Sequence, residues 1–68
     1  MTILIDPTSA TPLYEQIVQQ IQRQILSGTL PQGELLPGVR TLAADLSVSI
    51  ITTRRAYGEL ERDGYNKT

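Results

Sequence analysis

The apolar residues of this chain fall into three runs with helical spacing, separated by turn-rich segments. Leu13, Ile17, Ile21 and Ile25 recur at i, i+4, i+8 and i+12, with Val18 and Leu26 widening the stripe, which predicts an amphipathic helix near 11–27 with one buried face. Thr11 is placed to cap it, and Pro12 suits the first helical position because its missing N–H would be unpaired there. Glu15 sits where the helix dipole favours an anion, and Gly28 stops the helix. Gln16, Gln19, Gln20, Gln22, Arg23 and Gln24 fill the remaining surface and read as a solvated face. Val39, Leu42, Ala43 and Leu46 fall at i, i+3, i+4 and i+7, a stripe that predicts a short helix near 38–46, too short to stand alone. Thr53, Ala56, Tyr57 and Leu60 repeat that spacing and predict a third helix near 49–63, capped by Ser49 and ended by Gly64.

The segments between these runs carry turn chemistry. Residues 1–10 open with the β-prone "TILI" and pass into "DPTSAT", an extended, turn-rich lead-in to the helical core of 11–65. The stretch "GTLPQGELLPG", 28–38, packs glycines and prolines around apolar anchors at Leu30, Leu35 and Leu36 and reads as a connecting loop. A linker between two domains is rejected, because neither flank is long enough to form its own core. The expectation is one all-α domain over 1–68, with a core made from Leu13, Ile17, Ile21, Ile25, Leu42, Leu46, Ala56, Tyr57 and Leu60.

The third helix has an unusual beginning. Val48-Ser49-Ile50-Ile51-Thr52-Thr53 is almost solidly β-branched, a composition that helices tolerate poorly, and Arg54 and Arg55 follow at once. A short helix, a three-residue turn and a second helix of about four turns make a helix-turn-helix, in which the opening turns of the second helix enter the DNA major groove. Methyl groups there can touch the C5-methyl of thymine, hydroxyls can bond base edges or phosphate, and an arginine can grip guanine or phosphate. Ile51, Arg55 and Gly58 fall on the side opposite the buried face, with Arg54 at its edge. Tyr14 and Tyr57 match the apolar spacing and read as packing residues; Arg62, between Glu61 and Asp63, reads as a surface ion-pair partner.

Composition removes most other chemistry. The 68 residues include no cysteine and no histidine, which excludes disulfides, Cys/His metal sites and the common nucleophile–base pairs. No enzyme, metal or cofactor is expected. A domain of this size buries only about 60% of its unfolded surface, so its stability is marginal. The net charge of −1 is unlike a free-standing nucleic-acid binder, but Arg40, Arg54 and Arg55 share one stretch with Asp45 as its single acid. The apolar "ILI" at 3–5 is too short for a signal-peptide core or a membrane span, so the expected location is the cytoplasm.

The segment "GTLPQGELLPGVRTLAADLSVSIITTRRAYGELERDGY" resembles the winged helix-turn-helix domain of GntR-family bacterial transcription regulators. The matching positions are Gly33, Leu36-Pro37, Arg40, Leu42-Ala43, Val48-Ser49, Thr52-Thr53, Ala56, Leu60 and Asp63-Gly64. The opening "IDPTSATPLYEQI" resembles the YtrA-like branch. The resemblance implies a DNA-binding domain of a bacterial regulator, with repression as its expected action and a double-stranded operator as its partner. Arg40, Ser49, Thr52 and Arg54 are then DNA contacts, with Ile50 and Ile51 outward between them and Arg55 alongside.

Two residues depart from the family pattern: Ile50 stands where many relatives have arginine, and Gly38 where many have serine, a stronger cap. Family members continue into a β-hairpin wing and a dimerisation region, whereas "YNKT" ends this chain. The fold expected is therefore a three-helix winged helix-turn-helix with the wing hairpin missing or truncated, from a full-length form that is a homodimer through a missing C-terminal region. The competing function is a small helical protein-interaction module that uses the Ile50–Ile51 apolar edge without binding DNA.

Overall fold

A computed structural model describes residues 1–30 and 36–65. The expectations for Gly33, Leu35 and the three C-terminal residues lie outside the described residues. Three helices follow in order, α1 (Leu13–Leu26), α2 (Val39–Leu46) and α3 (Ile50–Arg62), and no strand occurs among the described residues. Helices α1 and α2 each pack on α3. The shared core holds Ile17, Ile21 and Val18 of α1, Leu42 of α2, and Ala56, Tyr57 and Leu60 of α3.

The start of α1 differs from the expectation. Pro12, not Thr11, is its N-cap: its ψ of 150° is extended, no side chain caps it, and its carbonyl accepts the first helical bond from Gln16 N–H. Thr11 belongs to the lead-in, since its N–H donates to Ser9 Oγ and its carbonyl accepts from Gln16 Nε2. The C-terminus is as the glycine implies. Gly28 has φ +82°, and the turn it makes lets Leu30 N–H bond the Gln24 carbonyl and tucks the Leu30 side chain into the core. Two residues of the apolar stripe, of which Leu13 was expected in the core, are not in it. Leu26 is 74% exposed, because it lies about 100° around the helix from Ile25, on the side away from α3. Leu13 is only half-buried and stands outside the core cluster.

The glutamine face is the larger correction. Gln16, Gln20 and Gln24, one turn apart, bind the backbone of the extended lead-in instead of facing water. Gln16 Oε1 accepts from Asp6 N–H (2.8 Å) and its Nε2 donates to the carbonyls of Asp6 and Thr11 (both 2.9 Å). Gln20 Oε1 accepts from Leu4 N–H (2.8 Å) while its Nε2 donates to the Leu4 carbonyl (2.6 Å). Gln24 Nε2 donates to the Thr2 carbonyl (2.7 Å). Each amide presents one acceptor and one donor face, as a neighbouring strand would. Residues 2, 4 and 6 share one edge of the extended chain, so the alternate residues Ile3 and Ile5 turn towards the core, where Ile3 is 8% exposed. Beyond Asp6 the chain turns: Thr8 donates its N–H and its hydroxyl to Asp6 Oδ1, bonds that hold the Asp6 carboxyl below its ordinary range.

The second and third helices meet in a tight turn. Gly38 caps α2 without a side-chain bond. At its other end Ser47 takes the left-handed conformation (φ 56°), and the N–H groups of Ser47 and Val48 return to the carbonyls of Ala44 and Ala43. A non-glycine residue there carries some backbone strain. Val48 packs against the core, and Ser49 caps α3 as expected, its Oγ accepting from Thr52 N–H at 2.9 Å. Buried Thr53 is satisfied by donating to the Ser49 carbonyl at 3.2 Å. Gly64, at φ +84°, ends the turn after α3, and Tyr65 N–H bonds the Leu60 carbonyl. Among the described residues, a side-chain bond ties the segment before α2 to α3: the Tyr57 hydroxyl donates to the Pro37 carbonyl.

Two outcomes follow for stability. Gln16→Ala strands three backbone groups and should cost about 1–3 kcal/mol, with amide exchange at Asp6 accelerated while α2 and α3 keep their protection. Burial pushes the Tyr57 phenol up to about 12 from 10.0. A raised folded-state value means that the neutral phenol contributes stability below pH 10.0, and that this contribution is lost as pH rises through about 12. Denaturant titrations across that range should show the loss, and Tyr57→Phe should remove this component of it.

Candidate nucleic-acid interface

Helix α3 divides into a buried and an open side. Thr53, Ala56, Tyr57 and Leu60 point inward; at about 100° per residue, Ile51, Arg55, Gly58 and Arg62 point outward, with Arg54 at the margin. Ile51 is 78% exposed, an unusual position for a large apolar side chain, while its neighbour Ile50 is half-buried. A Cβ built on Gly58 meets nothing within 4 Å, so nothing in the fold requires a glycine there. The open face therefore begins with a bare isoleucine and continues without obstruction.

Charges are segregated along the same helix. No acid occurs in its first turn, and Glu59, Glu61 and Asp63 all lie near its C-terminal end. Arg62 pairs with Glu59 (3.7 Å) and Asp63 (4.0 Å), as its acidic surroundings imply, although Glu59 is the nearer partner. Arg40 on α2 and Arg54 on α3 are exposed and make no ion pair among the described residues. The positive end of a helix dipole stabilises anions. Arg40 lies in the acid-free first turn of α2 and Arg54 one turn into α3, whose first turn is also acid-free, a distribution that opposes the dipoles within the fold and favours an external anion such as phosphate.

The remaining candidates occupy different environments. Arg55 is exposed, but its guanidinium lies 3.8 Å from the centroid of the Tyr14 ring, so α1 fixes its position. Tyr14 also packs on the core, the role its spacing suggested. Ser49 and Thr52 form a small network: Ser49 Oγ accepts from Thr52 N–H and donates to Thr52 Oγ1 at 2.8 Å. The structure thus brings Ser49, Ile50, Ile51 and Thr52 together at the start of α3, with Arg54 one turn on, Arg40 on α2, and Arg55 drawn towards α1. Among the described residues no group of His, Cys, Asp or Glu could hold a metal ion, and no helix is long and apolar enough to cross a membrane.

Comparison with known proteins identifies the arrangement. Residues 13–65 match the family described as bacterial regulatory proteins, gntR family. The HTH-type transcriptional repressor YtrA of Bacillus subtilis (strain 168) is 47% identical over 66 residues, covering 97% of this chain and 51% of its own length. The chain thus spans about half of that relative. Among solved structures, YtrA from Sulfolobus acidocaldarius, a GntR-family transcription factor, superposes with a TM-score of 0.92 at 41% identity, covering 97% of this chain and 70% of that one. A transcriptional antiterminator from Listeria monocytogenes EGD-e gives 0.86 at 40% identity, covering 91% and 46%.

The open space around Gly58 yields a measurable outcome. Gly58→Ala should raise the stability of the isolated chain by roughly 0.5–1 kcal/mol, because alanine fixes less backbone entropy in a helix interior and meets no obstacle. Thermal melts of the two proteins check it; a lower midpoint for the alanine form would mean that α3 is not helical at that position.

Proposed function

The chain belongs to the gntR family of bacterial regulatory proteins and forms a helix-turn-helix DNA-binding domain of a transcription regulator, and from that premise we propose how its surface engages an operator. The start of α3 enters the major groove of double-stranded DNA. Arg40, exposed on α2, holds a phosphate; Arg54, one turn into α3, reaches a base edge, with guanine O6 and N7 its best match. Ser49 and Thr52 bring hydroxyls to the groove, Ile50 and Ile51 bring methyl groups, and Arg55, steadied on Tyr14, keeps its in-plane N–H donors for phosphate.

The observation that carries this reading is the pair of arginines, Arg40 and Arg54, without an ion pair among the described residues, on two helices whose first turns hold no acid. A net charge of −1 leaves little general attraction to DNA, so binding depends on this local patch. The whole regulator acts in the cytoplasm, and it acts as a repressor, the role that the name of the Bacillus relative supports. It binds a two-fold operator as a homodimer. Two linked half-site modules then gain affinity by effective concentration.

Substitution separates the two arginines. Arg40→Ala should weaken binding to all duplexes and make the salt dependence shallower by about 0.9 in log–log slope, the effect of one phosphate contact. Arg54→Ala should cost about 1–3 kcal/mol on the preferred duplex and relax the preference at one base pair, with little change in non-specific affinity. Competition titrations at several salt concentrations measure both. If neither variant changes affinity or preference, the groove assignment is wrong. Binding of another protein through the Ile50–Ile51 edge, nearly independent of salt, would then take its place.

A further inference from the structure

Ile51 and Thr52 stand side by side at the exposed start of α3, and their chemistry narrows which base they can meet. Ile51 is rigid because it is β-branched and held in a capped first turn, and it is 78% exposed. It can offer only methyl and methylene groups. Thr52 offers a hydroxyl whose direction is already constrained. Ser49 Oγ donates to Thr52 Oγ1 and is itself fixed by accepting from Thr52 N–H, so one acceptor site of the Thr52 oxygen is occupied. Its hydroxyl hydrogen has no acceptor among the described residues and is left to donate outward.

A methyl surface beside a hydroxyl donor matches one base in the major groove. Thymine presents its C5-methyl next to the O4 acceptor. Guanine presents acceptors without a methyl group. Cytosine presents the N4 amino donor, which opposes a donated hydroxyl hydrogen, adenine presents the N7 acceptor beside its N6 amino donor, and neither carries a methyl group. We propose that Ile51 and Thr52 together make this domain selective for thymine in its half-site, Ile51 by contact with the C5-methyl and Thr52 by donation to O4. The assignment rests on the groove placement of α3 given above. It identifies Ile51 and Thr52 as specificity-determining residues, which Arg40 and Arg54 complement by positioning the domain and reading a second base.

The test starts from the duplex that the chain enriches from a randomised DNA pool. Each thymine of that duplex is replaced in turn by deoxyuridine, which removes the methyl group and keeps O4, and by 5-methylcytosine paired with guanine, which keeps the methyl group and replaces O4 with a donor. At one thymine, deoxyuridine should weaken binding about four-fold, the effect of one buried methyl group. The same replacement should change binding less than about two-fold for Ile51→Ala, since the contact is already gone. Thr52→Val, which keeps the shape and removes the hydroxyl, should likewise lose its discrimination against 5-methylcytosine. Ile51 lies outside the core, so circular dichroism and melting of Ile51→Ala should match the parent. If every deoxyuridine duplex binds within two-fold of its parent while sequence-specific binding persists, the thymine assignment is overturned and DNA binding stands. An equal loss for parent and Ile51→Ala would overturn the role of Ile51. If the pool yields no preferred duplex, the DNA-binding reading fails together with the thymine assignment.

Discussion

The architecture depends on one row of side chains on α3. Thr53, Ala56, Tyr57 and Leu60 are all buried, and against them both α1 and α2 are packed. A helix of eight residues such as α2 has no stability of its own. It holds its place through Leu42 in the common core and through the Tyr57 hydroxyl bound to the Pro37 carbonyl just before it. The same row fixes the rotation of α3 about its axis. With one side fully occupied by packing, Ile51 and its outward neighbours have nowhere to go but solvent, so the core specifies the recognition surface by exclusion.

A small domain needs additional ways to order its chain, and here polar groups supply one. The lead-in contributes Ile3 to the core, but a single extended segment lying on a helix would ordinarily leave its backbone groups to water. Glutamine amides satisfy one edge of it, at residues 2, 4 and 6. The buried polar side chains have their partners as well: among the described residues no buried side-chain nitrogen or oxygen is left unbonded. Tyr14 ties Arg55 to α1, so the first helix is connected both to the lead-in and to the recognition helix.

The parts legible in the sequence were those that repeat with the helical period. The spacing of Ile17 and Ile21, of Leu42 and Leu46, and of Ala56 and Leu60 located three helices to within one or two residues. Gly28, Ser49 and Gly64 marked their ends through local conformational preference. Features that depend on what lies across the structure were not legible. Nothing in the order of residues says that Gln16, Gln20 and Gln24 face a backbone edge instead of solvent, since an amide suits both. Ile3 joined the core only because that edge was bound. Leu26 continued the apolar run in composition but not in angle. For the proposed interface, the sequence suggested Arg40, Ser49, Ile50, Ile51, Thr52, Arg54 and Arg55, whereas the stacking of Arg55 on Tyr14 and the polarised Ser49–Thr52 pair required coordinates. Their roles on DNA remain proposals.

The glutamine ladder behaves like a vernier, two scales of slightly different pitch laid edge to edge. One rung advances about 6.0 Å along the helix, four residues at its rise, and about 6.6 Å along the extended chain, two residues at theirs. The scales slip by roughly 0.6 Å per rung. The number of bonds per rung falls in the same direction. Gln16 reaches both polar groups of Asp6 and a further carbonyl, Gln20 reaches both groups of Leu4, and Gln24 reaches only the carbonyl of Thr2. Coincidence is best at the turn and fades towards Met1, which is 48% exposed. A fourth rung would therefore fall out of phase, and the seam would unzip from its Thr2 rung while its root at Asp6 stayed fastened.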